Sequence, residues 1–233
     1  MLRFHTQTGG ATLTAQQPEN NIVRTALEAL AAVLGGTQSL HTNSFDEALS
    51  LPTEHAVKIA LRTQQVIGSE TGVASVADPL GGSYYLEALT DEIEAAARGY
   101  LDKIDGMGGA VAAIEAGFFQ DEIHEAAFRI QEQVESGERV VVGVNRYREE
   151  DEVPPELLQI DESEVEAQKE RVRELRRRRD AEAVNEGLGR VKETALGSDN
   201  LLPPMKEALR SGATLGEVSN ALREVFGEYR PGR

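Results

Sequence analysis

Val23, Leu27, Leu30 and Leu34 recur at intervals of four, three and four, which predicts one face of an amphipathic helix. Asn20 or Asn21 is placed to cap its start, and Gly35-Gly36 to end it. Before it, Arg3 to Thr8 reads as a short extended stretch followed by a polar loop, Gly9 to Asn21. After it, Thr37 to Thr42 reads as a second strand. Pro52-Thr53-Glu54 then opens a second helix, with Ala56, Val57, Ala60 and Leu61 along one side. Strand, helix, strand, helix is the unit from which parallel sheets and barrels are built. Two such units are too few to close an eight-stranded barrel of about 250 residues. Two parallel strands also leave edges and a face unprotected. This region is therefore expected to need partner strands from elsewhere.

After Gly68 the pattern changes. Asp78-Pro79-Leu80-Gly81-Gly82-Ser83-Tyr84-Tyr85 is a turn-rich loop. Thr90 is expected to cap a helix bearing Ile93, Ala96, Ala97, Tyr100, Leu101 and Ile104, broken at Gly106 and Gly108-Gly109. Ala110 to Ala116 predicts a short helix, and Ile123, Ala127, Ile130 and Val134 another. Arg139 to Asn145 reads as a short strand, and Glu149 to Pro155 as an acidic, proline-containing linker. Ser163-x-x-Glu166 has the form of a capping box, opening one long charged helix to about Leu196. Glu170 with Arg173 and Glu174 with Arg178 are spaced for ion pairs along it, and Arg176 to Arg179 reads as a solvated face. Pro203-Pro204 starts a further helix. Thr214-x-x-Glu217 caps the last, with Leu215, Val218, Leu222, Val225 and Phe226 as its apolar stripe. The expected class is α/β in three regions: 1–68, an α-rich 69–155 with one short strand, and a charged helical 156–233.

Composition narrows the possibilities. At 233 residues and 40% hydrophobic content the chain can build a core. No apolar run approaches the roughly 18 residues of a membrane helix, and no signal peptide is visible, so a cytoplasmic protein is expected. The absence of cysteine excludes disulfides, thiolate metal sites and a cysteine nucleophile. The net charge of −16 is dispersed rather than gathered in a tail, which disfavours nucleic acid and anionic membranes as partners. An acidic surface poor in lysine predicts adaptation to high salt.

The candidate chemistry is concentrated in Gly35 to Leu49, where hydrogen-bonding side chains crowd a strand and its following turn. Buried polar groups need partners, so such a run points to a binding site. Arg3, His5 and Gln7 alternate along the first strand and share a face; Gln38, Leu40 and Thr42 share one face of the second, and Ser39, His41 and Asn43 the other. Gln7 offers an amide donor and acceptor, His5 and Arg3 suit phosphate or carbonyl oxygens, and Glu47 can accept from amides or hydroxyls. The four histidines show no metal-ligand spacing. Neither a phosphate loop nor a Gly-x-Ser-x-Gly nucleophile occurs. The residues provide binding groups and no acid–base or nucleophile pair.

Several blocks resemble the adenosylcobalamin-dependent acyl-CoA mutases, the methylmalonyl-CoA mutase family. They are Arg3-Phe4-His5-Thr6-Gln7-Thr8, Gln17-Pro18-Glu19-Asn20-Asn21, Gly36 to Leu51, Asp78 to Tyr85, and Val140-Val141-Val142-Gly143-Val144-Asn145. The resemblance implies the last two βα units of a (β/α)8 TIM barrel followed by a mostly α-helical C-terminal region. It implies that Gln7, Glu47, Ala48 and Gln131 contact cobalamin, and that Arg3, His5, Gln38 and Ser39 line the acyl-CoA channel. Gln131 falls within the Ile123–Val134 helix but off its apolar stripe.

The implied reaction is the radical interconversion of methylmalonyl-CoA and succinyl-CoA. Isobutyryl-, ethylmalonyl- and 2-hydroxyisobutyryl-CoA are alternative substrates. The implied partners are an N-terminal barrel portion, a separate cobalamin-binding subunit that ligates cobalt, and a mutase-associated GTPase chaperone. The cobalt-ligating Asp-x-His-x-x-Gly motif does not occur here, and the family's earlier barrel strands have no counterpart in the sequence. Three readings follow: part of a mutase large subunit that is inactive alone, a noncatalytic interaction module, or a decayed fragment.

Overall fold

The two extended stretches near the start of the chain pair with each other. In the computed structural model, which describes residues 2–150 and 155–230, β1 (His5–Gln7) and β2 (Ser39–His41) form a two-stranded parallel sheet. His5 stands opposite Ser39, Thr6 opposite Leu40 and Gln7 opposite His41. The ladder runs on through Gln38 N to Phe4 O and Thr8 N to His41 O, both 3.1 Å. Parallel strands need a crossover, and α1 (Asn20–Leu34) provides it. The resulting α/β arrangement is mostly helical, with this small sheet at its start.

α1 differs from expectation in two ways. Neither asparagine caps it: Glu19 occupies the cap position without a side-chain bond, and both asparagines lie inside the first turn. Asn21 is instead fully buried and bonded to neighbouring loops. The buried face is Asn21, Thr25 and Ala29, while Val23 and Leu27 on the expected apolar stripe are 60% and 63% exposed. α2 (Glu54–Glu70) starts as expected, with Thr53 Oγ1 accepting from Ala56 N (3.2 Å). It buries Ala56, Ala60 and Ile67 and leaves Val57 and Leu61 exposed.

Farther on, α3 (Tyr84–Gly106) begins well before Thr90. Gly82 N donates to Glu87 Oε1 (2.8 Å), fixing the start there, and Thr90 Oγ1 donates back to Leu86 O (2.7 Å) as an interior threonine does. α4 (Ala110–Glu115) and α5 (Phe118–Ser136) match the expected helices. The strand expected at 139–145 does not form. Asn145 curls the segment into a turn, accepting from Val141 N (2.8 Å) and donating to Val134 O (2.8 Å) and Arg139 O (2.7 Å). A single bridge, Val142 to Arg146, remains of the extended pairing. Of the expected linker, 151–154 lie outside the described residues.

The chain divides into two compact units, Met1–Gln159 and Ile160–Arg233. In the second, Asp161 rather than Ser163 caps α6 (Glu162–Arg178), accepting from Ser163 N (2.8 Å). The expected long helix is two helices. Arg179 is extended and Asp180 caps α7 (Ala181–Ala195) by accepting from Glu182 N (2.9 Å) and Ala183 N (3.1 Å). The break has a cause: Arg179 turns inward to a two-pronged bond with Glu217, Nη1 to Oε2 at 2.6 Å and Nη2 to Oε1 at 2.7 Å. Arg179 is therefore not part of a solvated face, whereas Arg173 and Arg178 pair along α6 with Glu170 and Glu174 as spaced.

α8 (Leu202–Arg210) and α9 (Leu215–Phe226) complete this unit, α9 with the expected capping box. Val184, Val191, Ala208, Ala213, Val218 and Ala221 form its core. Gly187 lets α7 and α8 close together, since a Cβ there would stand 3.1 Å from Ala208 Cα. Among the described residues no helix is long and apolar enough to cross a membrane.

Candidate functional site

β1 and β2 present His5, Gln7, Ser39 and His41 on one exposed face, because residues two apart on paired strands point the same way. His5 Nδ1 lies 2.7 Å from Ser39 Oγ. Arg3 is exposed just ahead of the strand. Gln38 is also exposed, and its amide is held by backbone: Oε1 accepts from Phe4 N (2.7 Å) and Nε2 donates to Gly36 O (2.6 Å).

The chain leaves β2 into a turn whose polar side chains are mostly buried: Thr42, Asn43, Ser44 and Asp46. Thr42 Oγ1 donates to Ala60 O (2.8 Å) and accepts from Gln64 Nε2 (2.9 Å), tying the turn to α2. Thr8 Oγ1 accepts from Asn43 N (2.9 Å). Asn21 reaches across from α1, donating to Thr14 O and Phe45 O, both 2.8 Å, while its Oδ1 accepts from Thr14 N (3.1 Å). Asp46 Oδ2 accepts from Thr53 N (3.0 Å) at the start of α2. These residues hold the turn in shape. Part of the polar run is therefore scaffold.

What the scaffold presents is narrower. Gln7 Nε2 donates to Asn43 Oδ1 (3.3 Å), and Asn43 Nδ2 donates to Glu47 Oε1 (3.1 Å), so an amide, an amide and a carboxylate lie in a row. Gly10 passes directly against this row, where a Cβ would strike the Glu47 carboxylate and crowd the Asn43 amide. Ala48 is exposed beside it. A cavity of about 470 Å³ opens next to the turn, lined by His41, Thr42, Glu47, Leu51, Leu61 and Gln64 among others.

Gln131 lies in α5, where its Nε2 donates to Glu135 Oε1 (2.6 Å) of the same helix. Among the described residues, hydrogen bonds thus join Gln7 to Glu47 and His5 to Ser39, and do not join Gln131 to either pair. No group of three candidate metal ligands occurs among the described residues. The arrangement can bind and orient an amide- or carbonyl-rich ligand.

Sequence reasoning missed Asn21, Arg24 and Asp46. In the sequence Asn21, like Asn20, looks like a cap because it precedes an apolar periodicity. Its signal was the doublet itself, Asn20-Asn21, which is more amide than one helix start can use. Asp46 stands seven residues before Thr53, a spacing that carries no local pattern.

The comparisons with known proteins agree with one another. The family described as methylmalonyl-CoA mutase matches residues 1–228. The methylmalonyl-CoA mutase of Rhizobium meliloti (strain 1021) is 51% identical over 231 residues, covering 98% of this chain and 32% of that protein. The mitochondrial methylmalonyl-CoA mutase of Homo sapiens is 46% identical over 232 residues, covering 99% of this chain and 31% of its own length. The 2-hydroxyisobutanoyl-CoA mutase large subunit of Aquincola tertiaricarbonis is 47% identical over 231 residues, covering 98% and 41%. The chain spans 31–41% of the length of these curated relatives. With a match that runs almost from end to end, the chain belongs to the methylmalonyl-CoA mutase family.

Proposed function

We propose that the chain is the C-terminal part of an adenosylcobalamin-dependent methylmalonyl-CoA mutase and is inactive alone. In this reading 1–68 supply the last two βα units of a (β/α)8 barrel, 69–155 a post-barrel helical region and 156–233 a charged helical tail. The observation that carries it is the small β1–β2 sheet. Its two strands have no further strand partners among the described residues, yet they carry a row of binding groups at their ends. A parallel sheet of this kind is stable when flanked and covered. The exposed Val23, Leu27, Val57 and Leu61 are the apolar surface such a covering would use.

The donor set fits the rim of a corrin, whose fringe of amides both donates and accepts. Gln7 supplies an amide and Glu47 a carboxylate, both exposed, and the buried Asn43 amide holds one to the other. Ala48 and Gln131 belong to the same proposed contact. Arg3, His5, Gln38 and Ser39 line the acyl-CoA channel, His5 and Ser39 as a bonded pair that orients carbonyl or phosphate oxygens. Bound adenosylcobalamin supplies the radical that starts the carbon-skeleton rearrangement. The residues here bind, orient and shield. The cobalt ligand comes from a separate cobalamin-binding subunit, the remaining strands from an N-terminal barrel portion, and a GTPase chaperone serves the assembly in the cytoplasm.

A second substrate reading is favoured by one observation: a 2-hydroxyisobutanoyl-CoA mutase large subunit is 47% identical, between the 51% and 46% of the two methylmalonyl-CoA mutases above. The test is co-expression with an N-terminal barrel portion and a cobalamin-binding subunit, then assay with methylmalonyl-CoA and with isobutyryl-, ethylmalonyl- and 2-hydroxyisobutyryl-CoA. Succinyl-CoA formed from methylmalonyl-CoA supports the first reading. Turnover of another substrate alone replaces it. In that assembly Gln7→Ala and Glu47→Ala each weaken adenosylcobalamin binding about tenfold, the worth of a hydrogen bond involving a charged or buried partner. Unchanged affinity in both variants contradicts the proposed contacts.

A further inference from the structure

Arg24 lies on α1, half-buried and removed from the strand ends. Its Nη1 donates to Thr14 Oγ1 (2.9 Å) and Asn21 Oδ1 (2.8 Å), and its Nη2 to the carbonyl of Val142 (2.9 Å), 118 positions along the chain. Beside it Gln17 Nε2 donates to the carbonyl of Tyr147 (2.9 Å). Gln17 (φ 46°) and Tyr147 (φ 58°) both hold the left-handed backbone that residues with side chains rarely adopt. Such conformations persist where the surroundings over-determine them. Gly143 runs so close that a Cβ there would stand 3.1 Å from the Gln17 amide. The turn 141–147 is clamped onto the start of α1.

The clamp joins two places that the sequence keeps far apart. On one side Asn21, held by Arg24, donates to Phe45 O in the turn that carries Asn43 and Glu47. On the other, Asn145 ties Val141 to Val134 O in the last turns of α5, next to Gln131. The hydrogen bonds run from the Glu47 turn to the Gln131 helix, with Arg24 at the crossing.

We propose that Arg24 is a positioning residue: its guanidinium ties the 141–147 turn, and through Asn145 the end of α5, to the start of α1 that holds the Glu47 turn, so that Gln131 and Glu47 engage one amide-fringed ligand together. This rests on the cobalamin reading above. The planar fork is needed because the three acceptors lie in two directions. The single ammonium of lysine reaches one of them and leaves the other without its donor.

The test uses the assembled mutase carrying Arg24→Lys, Arg24→Ala, Gln131→Ala, or Arg24→Ala with Gln131→Ala. The readouts are adenosylcobalamin affinity from its visible absorbance, KM for acyl-CoA, and amide exchange of 141–147. Both Arg24 variants are expected to speed exchange of 141–147 and to weaken adenosylcobalamin binding about fivefold, the worth of one net hydrogen bond, with KM unchanged. The Gln131→Ala effect shrinks in the Arg24→Ala background, because the two residues act through one geometry. Affinity restored by Arg24→Lys, or losses from Arg24→Ala and Gln131→Ala that simply add, overturn the inference. Parent-like affinity in the Arg24 variants overturns it while the cobalamin reading stands; failure of the parent assembly to bind adenosylcobalamin overturns both.

Discussion

Asn21 shows how much of a binding turn is held from behind. It is fully buried, and its amide closes bonds to Thr14, Arg24 and Phe45. Asn21→Ala leaves several of those buried groups without partners and is expected to lower unfolding stability by about 3 kcal/mol. Chemical denaturation of the full chain measures it, and a loss below about 1 kcal/mol would show that the bonds are replaceable. Gly10→Ala acts differently. The atom it would strike first is the far end of the flexible Glu47 side chain, which can swing aside. The expected result is a small loss of stability and a clear loss of adenosylcobalamin affinity in the assembly; parent-like affinity would show that the position of Glu47 is unimportant. From the sequence, the shared faces of His5 with Gln7 and of Ser39 with His41 were legible through strand alternation. Asn21, Arg24 and Asp46 were not, because their partners are set by chain crossings rather than by spacing.

Helices and strands were legible where local chemistry decides them, as at Thr53 before α2 and Thr214 before α9. Where a distant partner decides, the local pattern misled. Val140 to Val144 has the composition of a strand, yet no neighbouring strand takes it up and Asn145 folds it into a turn. The charged run after Glu162 reads as one helix until Arg179 leaves it for Glu217. That pair carries its own prediction. Bonds from Arg179 and Thr214 lower the Glu217 carboxyl from its ordinary 4.5 to about 2. A carboxyl depressed in the folded state stabilises it fully above the unfolded value and loses that contribution as pH falls through the folded one. The second unit should therefore lose roughly 2 kcal/mol between about pH 5 and pH 2 through this group. Hydrogen exchange of α9 against pH reads the loss, and Glu217→Gln should flatten it; an equal slope in that variant would assign the acid response elsewhere.

The two units differ in what they bury. Ile160–Arg233 encloses a contiguous apolar core of α7, α8 and α9 side chains. Among the described residues of Met1–Gln159 the fully buried apolar ones are alanines, Ala29, Ala56 and Ala113, while α3 and α5 bury no residue. Val23, Leu27, Val57 and Leu61 lie exposed on α1 and α2 over this thin core, and the proposed assembly would use them as its contact surface. The family was readable from the sequence because its motif blocks are local strings. The pairing of the two strands was readable too, from the strand–helix–strand pattern. The exposure of the expected α1 stripe was not, since periodicity reports which face is apolar and not what lies against it.

The most direct measurement is the mutase assay run twice with adenosylcobalamin and methylmalonyl-CoA, once on this chain alone and once after assembly with an N-terminal barrel portion and a cobalamin-binding subunit. The account predicts no succinyl-CoA from the chain alone and turnover from the assembly. Succinyl-CoA from the chain alone, or an assembly that forms and stays inactive with every acyl-CoA tested, would contradict it.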